Sequence, residues 1–212
     1  MKTELFANMT RREFDASIEY INAGEFFYSR NQIIFSAGDV IDKIGLVTGG
    51  KVIIESNDLF GNNIVLGLAK EGELFGEVYA ILGEPLLVDV RAKQDCIVLF
   101  LKVNNLPASR SWSLKLTDNL LRIMARKNLY LSQRSFINAN RTIRKKVMSY
   151  LNYISLTEGS KSFEIPFDRQ QMADYLNIDR SALSKELSDM KKEGIIYFRK
   201  NHFTINTDEV IV

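Results

Sequence analysis

Cysteine and histidine are almost missing from this 212-residue chain: Cys96 and His202 are the only examples of each. A single cysteine forms no intrachain disulfide, and one of each excludes a Cys/His metal cage or a four-cysteine iron–sulfur centre within one chain. A nucleophilic Ser-His or Cys-His pairing would depend on His202 alone, close to the C-terminus. The histidine cluster of a metal-dependent oxygenase has no counterpart in residues 1–201. Neither enzyme activity nor a metal or cofactor is expected. No apolar run is long enough to span a bilayer, and Met1–Arg12 lacks the signal-peptide pattern, so the expectation is a cytoplasmic protein without a membrane partner. Hydrophobic residues at 46% and charged residues at 25% exclude a disordered chain and leave room for one or two real cores.

A large net charge is also missing. The balance of +2 nevertheless hides an asymmetry. Residues 1–108 carry 10 Lys+Arg against 15 Asp+Glu, residues 109–138 carry 6 against 1, and residues 139–212 carry 12 against 10. An acidic front and a basic rear suit a polyanion partner for the rear, although a solvated helix surface accounts for the numbers equally well.

From Gln32 to Leu101 the pattern is that of short strands. Apolar runs recur at Ile33–Phe35, Ile44–Val47, Val52–Ile54, Ile64–Ala69, Val88–Ala92 and Cys96–Leu101. Turn residues separate them at Gly38-Asp39, Gly49-Gly50, Gly61-Asn62-Asn63, Gly72 and Gly83. Nine of the twelve glycines fall between Gly38 and Gly83, which reads as a sandwich or jelly roll. Before it, Arg11–Ala23 is compatible with a short helix. After Pro107 the pattern becomes helical from Ser109 to Ile137, without Gly or Pro. Two apolar rows share this helix: Leu114, Leu121, Met124, Leu131 and Leu116, Leu120, Ile123, Tyr130, Ile137. Apolar rows on more than one side need more than one partner: one row can pack on the β domain and the other on a second copy of the helix, the competing reading being a helix buried entirely within its own chain. Asn138-Ala139-Asn140 interrupts the pattern as a hinge. Thr142–Ser155 follows as a helix, with a polar loop at Thr157–Lys161 and an extended piece at Ser162–Pro166.

Asp168–Gly194 is the most informative stretch. Asp168 followed by Gln171 forms a capping-box pattern, with Met172, Ala173 and Leu176 apolar behind it. Asn177-Ile178-Asp179 makes a short turn, and Asp179 caps a second helix, Arg180–Glu193, that places Leu183, Leu187 and Met190 on one face. Gly194 occupies the C-terminal glycine position. A short helix, tight turn and longer helix make a helix-turn-helix. The outward face carries Arg180, Ser181, Ser184 and Lys185, cations and small hydroxyl donors of the kind a major groove accepts. Ile195–Phe198 and His202–Ile205 read as the strands of a wing, with Arg199-Lys200-Asn201 at its tip. The competing reading is a helical pair used only for packing.

Two stretches resemble the Crp/Fnr family of bacterial transcription regulators. One runs from Gly72-Glu73-Leu74-Phe75-Gly76-Glu77 to Val90-Arg91-Ala92. The other runs from Arg169-Gln170-Gln171-Met172-Ala173 to Arg180-Ser181-Ala182-Leu183-Ser184-Lys185-Glu186-Leu187. The resemblance implies an α+β chain: a double-stranded β-helix (jelly-roll, cyclic-nucleotide-binding-like) effector domain at 1–108, a central dimerisation helix at 109–138, and a winged helix-turn-helix at 139–212. It implies a homodimer on a near-palindromic double-stranded DNA operator, with RNA polymerase as a further partner through Thr157–Lys161. By the same resemblance, Arg169 and Gln170 contact the DNA backbone, Arg180, Ser181, Ser184 and Lys185 approach the bases, and Lys200 reaches phosphate from the wing.

The departures from the family pattern matter. Lys185 replaces the commoner Arg, and Ser181 stands where many members have a Glu that reads cytosine, so the usual operator is not implied. Cyclic-nucleotide-binding members place Arg-Ser where this chain has Leu86-Leu87, and a phosphate there would lack its counter-charge. The effector pocket is therefore expected to be apolar, bounded by Gly76, Glu77, Leu86, Leu87 and Leu131, and to take a small effector other than cyclic AMP. Glu77 remains either as a hydroxyl ligand or as a turn carboxylate. Arg91 and Cys96 are read as structural, and His202 as a wing residue. The alternative function is a ligand-binding signalling module whose helix-turn-helix contacts protein.

Overall fold

A computed structural model describes residues 3–21, 23–57, 63–103 and 106–206. The chain forms two compact units, residues 1–124 and 125–212. The first opens with a one-turn 3-10 helix (Glu4–Phe6) and α1 (Arg11–Tyr20). The strands β1 (Gly24–Tyr28), β2 (Ile33–Phe35), β3 (Ile44–Gly49), β4 (Lys51–Asn57), β5 (Asn63–Lys70) and β6 (Leu74–Phe75) follow. Then come α2 (Glu77–Leu82), β7 (Asp89–Ala92), β8 (Cys96–Leu101) and the 28-residue α3 (Ser111–Asn138). Two four-stranded antiparallel sheets result, in the orders β1-β8-β3-β6 and β2-β7-β4-β5. The six apolar runs read from the sequence all lie in these strands or overlap them. Of the turn read at Gly61-Asn62-Asn63, Gly61 and Asn62 lie outside the described residues.

Three elements escape the sequence pattern. In β1, Phe26, Phe27 and Tyr28 run consecutively and do not alternate, and the middle of the strand stays exposed. Pairing specifies it, from Gly24 opposite Phe100 to Tyr28 opposite Cys96. The two-residue β6 and six-residue α2 are too short to show a period. Between the sheets, the rings of Phe35, Phe75 and Phe100 meet with centroids 5.5–6.5 Å apart. They are tilted or edge-on, as the ring quadrupoles favour. Gly45 makes room for this cluster: a Cβ there would stand 2.2 Å from Phe75 Cζ. Gly50, in the β3–β4 turn at φ +82°, has Asp95 O where its Cβ would be, 2.3 Å away, so the position requires glycine on two counts.

The division between units falls inside α3, between Met124 and Ala125. Trp112, Leu116, Leu120 and Ile123 are buried in the first core, and Ile137 in the second. Leu114, Leu121 and Leu131 of the other row remain exposed. Tyr130, in the row of Leu116 and Leu120, is half-exposed and rests against the Tyr175 ring at 5.6 Å. The second unit continues with α4 (Ile143–Glu158), β9 (Ser162–Glu164), α5 (Arg169–Leu176), α6 (Arg180–Lys192), β10 (Ile196–Arg199) and β11 (His202–Ile205). Its three strands order as β10-β11-β9. The helix break at Asn138–Asn140 is present, but it is pinned. Asn138 Nδ2 donates to Tyr175 O, and Asn140 Nδ2 donates to Ser149 Oγ, at 3.0 and 3.1 Å. Among the described residues no helix is long and apolar enough to cross a membrane.

Candidate nucleic-acid interface

Local chemistry builds the helix-turn-helix. Asp168 accepts from Gln171 N at 2.8 Å, and Gln171 Oε1 accepts from Asp168 N at 2.9 Å, closing the capping box. Asn177 takes a left-handed conformation, φ 50°, at the C-cap of α5, and Ile178 N donates to Ala173 O. Asp179 then caps α6, accepting from Ser181 N at 2.8 Å, from Ala182 N at 3.0 Å and from the Ser181 hydroxyl. These donors, the hydroxyl first, hold its carboxyl below the usual range. Leu183, Leu187 and Met190 are buried along one side of α6.

Packing inside the second unit orients these two helices through residues that carry no sequence motif. The last carbonyls of α5 lack partners within the helix, and cations or amides from two other helices supply them. Arg134 donates to Tyr175 O and Asp174 O at 3.1 and 3.0 Å, Asn138 donates to Tyr175 O, and Lys146 Nζ donates to Leu176 O at 3.2 Å. From α4, Arg144 Nε reaches Glu186 at 2.6 Å, and its two terminal nitrogens reach Glu193 at 2.6 and 2.8 Å. That fork holds the middle and the end of α6 together and lowers the carboxyl pKa of Glu193. Sequence reasoning missed Arg134, Arg144 and Lys146, because their partners lie 30 or more positions away.

The outward side of α6 is left with its cations. Arg180 and Lys185 are exposed, and among the described residues neither has an ion-pair partner. The acids of the helix are ion-paired, Glu186 and Glu193 sharing Arg144 and Asp189 meeting Lys192 at 3.3 Å. The hydroxyls require a correction. Ser181 gives its proton to Asp179, and Ser184 Oγ gives its proton to Arg180 O at 2.9 Å. Read as donors, both hydroxyls already donate within the protein, which leaves each its acceptor capacity.

At the wing, Lys200 is exposed at a turn with φ 56°. Arg169 is half-buried, its guanidinium lying over the rings of Phe198 and Phe203 at 5.1 and 5.8 Å, and burial lowers its pKa. Arg169 and Lys200 line one cleft of about 410 Å³, together with Asp168, Gln171 and Asn201. Gln170 is exposed, its amide donating to Asp174 at 2.8 Å. His202 lies on β11, with Nε2 3.4 Å from Ser162 Oγ.

The residues assigned to an effector pocket are divided between the two units. Gly76, at φ 75°, precedes α2, and Glu77 is buried at its start. Leu86 is 1% exposed within the core, whereas Leu87 is 76% exposed, so adjacent positions 86 and 87 point apart and do not jointly wall a cavity. Leu131 is exposed and belongs to the second unit. Arg91 is engaged with Glu55 at 2.9 Å and with Asn31 O at 2.9 Å. Cys96 is buried, and burial raises its thiol pKa. Leu86 offers no charge to a phosphate, and Arg91 is already paired with Glu55.

Comparison with known proteins agrees with this architecture. The cyclic nucleotide-binding domain family matches residues 25–108, and the Crp-like helix-turn-helix domain family matches residues 145–208. The chain belongs to the Crp/Fnr family. As a Crp/Fnr chain it is a DNA-binding transcription regulator. FnrL, a transcriptional activator protein of Cereibacter sphaeroides, is 21% identical over 190 residues, covering 85% of this chain and 75% of FnrL. The Thermus thermophilus catabolite activator protein shares the fold with a TM-score of 0.50 at 24% identity, over 96% of this chain and 94% of that one. CprK complexed with OCPA superposes with a TM-score of 0.65 at 13% identity, over 88% and 87%. The c-di-GMP responsive regulator CLP of Xanthomonas campestris gives 0.53 at 17% identity, over 92% and 97%.

Proposed function

We propose that this Crp/Fnr regulator binds a near-palindromic operator as a homodimer, with one α6 in each of two major grooves about 34 Å apart. The observation that carries the reading is the electrostatic sorting on α6. Every acid on the helix has an ion-pair partner within the protein, while Arg180 and Lys185 have none among the described residues. Arg180 supplies the fork for a base edge, and Lys185 supplies a point charge. Ser181 and Ser184 accept from the amino groups of cytosine or adenine. Arg169 and Lys200 hold phosphate at the cleft between α5 and the wing, and Gln170 adds a backbone contact.

The dimer is formed by the exposed row Leu114, Leu121 and Leu131 of α3. The effector is a small molecule other than cyclic AMP. Supporting this, relatives of the same fold include one described as c-di-GMP responsive and one solved with OCPA. In this chain the position that the family resemblance gives to a phosphate-binding arginine is Leu86, which lies in the core. The effector acts by binding one arrangement of the DNA-binding units more tightly than another.

Arg180→Ala tests the register of α6. A loss of about 1–3 kcal/mol in operator affinity, with relaxed sequence preference, is expected in gel-shift titrations. Unchanged affinity would overturn the assignment. Titration calorimetry with cyclic AMP is expected to show no heat of binding, and tight binding would overturn the effector reading.

A further inference from the structure

The outer face of the sheet β2-β7-β4-β5 carries a row of three lysines. Lys51 stands directly opposite Lys70 of β5, and Lys93, just beyond β7, donates its N–H to Lys51 O at 2.9 Å. The adjoining Val52, Ala69 and Ala92 are buried in the core, so the three lysine side chains leave the sheet on its other side, and all three are exposed. Two residues along each strand, the same face presents Ile53, Leu68 and Arg91, with Ile33 of β2 opposite Arg91. Arg91 is engaged by Glu55. Among the described residues none of the three lysines has an ion-pair partner. Neighbouring strands lie about 4.8 Å apart, so three like charges share roughly 10 Å, and like charges directly opposite weaken a sheet. The row is an exception within residues 1–108, where 15 acids outnumber 10 bases.

We propose that this face docks an extended acidic segment of another protein, added as a further strand along β5. The strand β5 is an edge: it pairs with β4, and among the described residues no strand pairs with its other side. It is eight residues long and leaves Val65 60%, Leu66 52% and Leu68 42% exposed. An open apolar edge of this kind accepts another strand through its main chain. A lysine on an edge strand ordinarily keeps foreign strands away. That accounts for Lys70 alone, because Lys51 and Lys93 stand one and two strands inside the edge. Charge complementarity selects the partner. Alternate side chains of an added strand share one face, so an apolar residue beside Leu68 is followed two positions on by an acid beside Lys70, with Lys51 one strand further in. A nucleic acid would bring phosphate against Leu68 and Val65 and would leave the main-chain edge unpaired. A segment of alternating apolar and acidic residues uses the edge, the apolar side chains and the lysines together.

Fluorescence anisotropy of a fluorescein-labelled peptide of alternating valine and glutamate, titrated with the full chain, reads the contact. Saturable binding in the micromolar range is expected, weakening as salt is raised. Lys51→Glu and Lys70→Glu each turn a like-charged pair into an opposite one, so neither melting temperature is expected to fall. The peptide dissociation constant is expected to rise at least tenfold in both variants. The peptide N-methylated at alternate main-chain amides, made in both registers, keeps its charge, and the register methylated on the paired side is expected not to bind. No saturable binding by the parent chain, or unchanged affinity in either variant, overturns the proposal. Equal binding of both methylated registers and the unmethylated peptide removes the added strand and overturns it too. A loss of operator or random-sequence duplex binding in the lysine variants assigns the row to nucleic acid, and a rise in the dimer dissociation constant by sedimentation equilibrium assigns it to a second copy; either result overturns the proposal.

Discussion

Glu13 shows how much one side chain can be tied to a distant element. It accepts from Lys115 Nζ at 2.7 Å, from Ser111 Oγ at 2.9 Å and from Thr10 N at 2.9 Å. Lys115 above all brings its pKa down to about 2. A carboxyl whose folded pKa lies below its unfolded value contributes stability above the unfolded value and loses it as pH falls towards the folded one. The pin between α1 and α3 is therefore present above about pH 4.5 and released between there and about pH 2. A carbon-detected NMR titration is expected to place the Glu13 midpoint near 2, and Glu13→Gln to flatten that part of the acid melting curve. A midpoint at the ordinary glutamate value would remove the pin. Leu86 shows the limit of family arithmetic at the same scale. Its position in the motif suggests that arginine could be restored there, but the side chain lies in the core, where an unpaired guanidinium is strongly destabilising.

The elements differ in how openly the sequence declares them. Caps and turns act within four residues, so α5 and α6 were legible to within a residue or two, as were the wing strands. Asp168→Ala removes the side chain that closes the α5 capping box. A loss of about 1 kcal/mol is expected, read as a lower denaturation midpoint with unchanged slope, and no loss would show that the cap is dispensable. By contrast, β1 and α2 were not legible, because an edge strand of consecutive aromatics and a six-residue helix have no period to detect. On α3 the two rows were visible, but the sequence does not show that the compact units divide halfway along the helix.

For the whole molecule the decisive quantity is the response to salt. Binding through phosphates releases counterions, so the logarithm of the association constant should fall linearly with the logarithm of salt concentration. Lys200→Ala removes one exposed cation from each wing tip. In the proposed dimer the slope is expected to shrink by about 2, with sequence preference unchanged. An unaltered slope would take the wing away from the phosphates. Arg180→Ala is expected to do the opposite, altering preference more than slope.

The sequence alone determined the order of β domain, long helix and winged helix-turn-helix, the two caps of the recognition pair, and the presence of Arg180 and Lys185 on one outward face. Each of these depends on alternation, helical period or contacts between near neighbours along the chain. The tertiary structure decided which charges remain free, because Arg144 reaches Glu186 and Glu193 across 42 and 49 positions. It also decided that Leu86 turns inward and Leu87 outward, and that Leu129, Phe136 and Leu156 meet around one groove. An ion pair, a core or a groove exists only when residues remote in sequence occupy the same few ångströms, and packing alone brings them there.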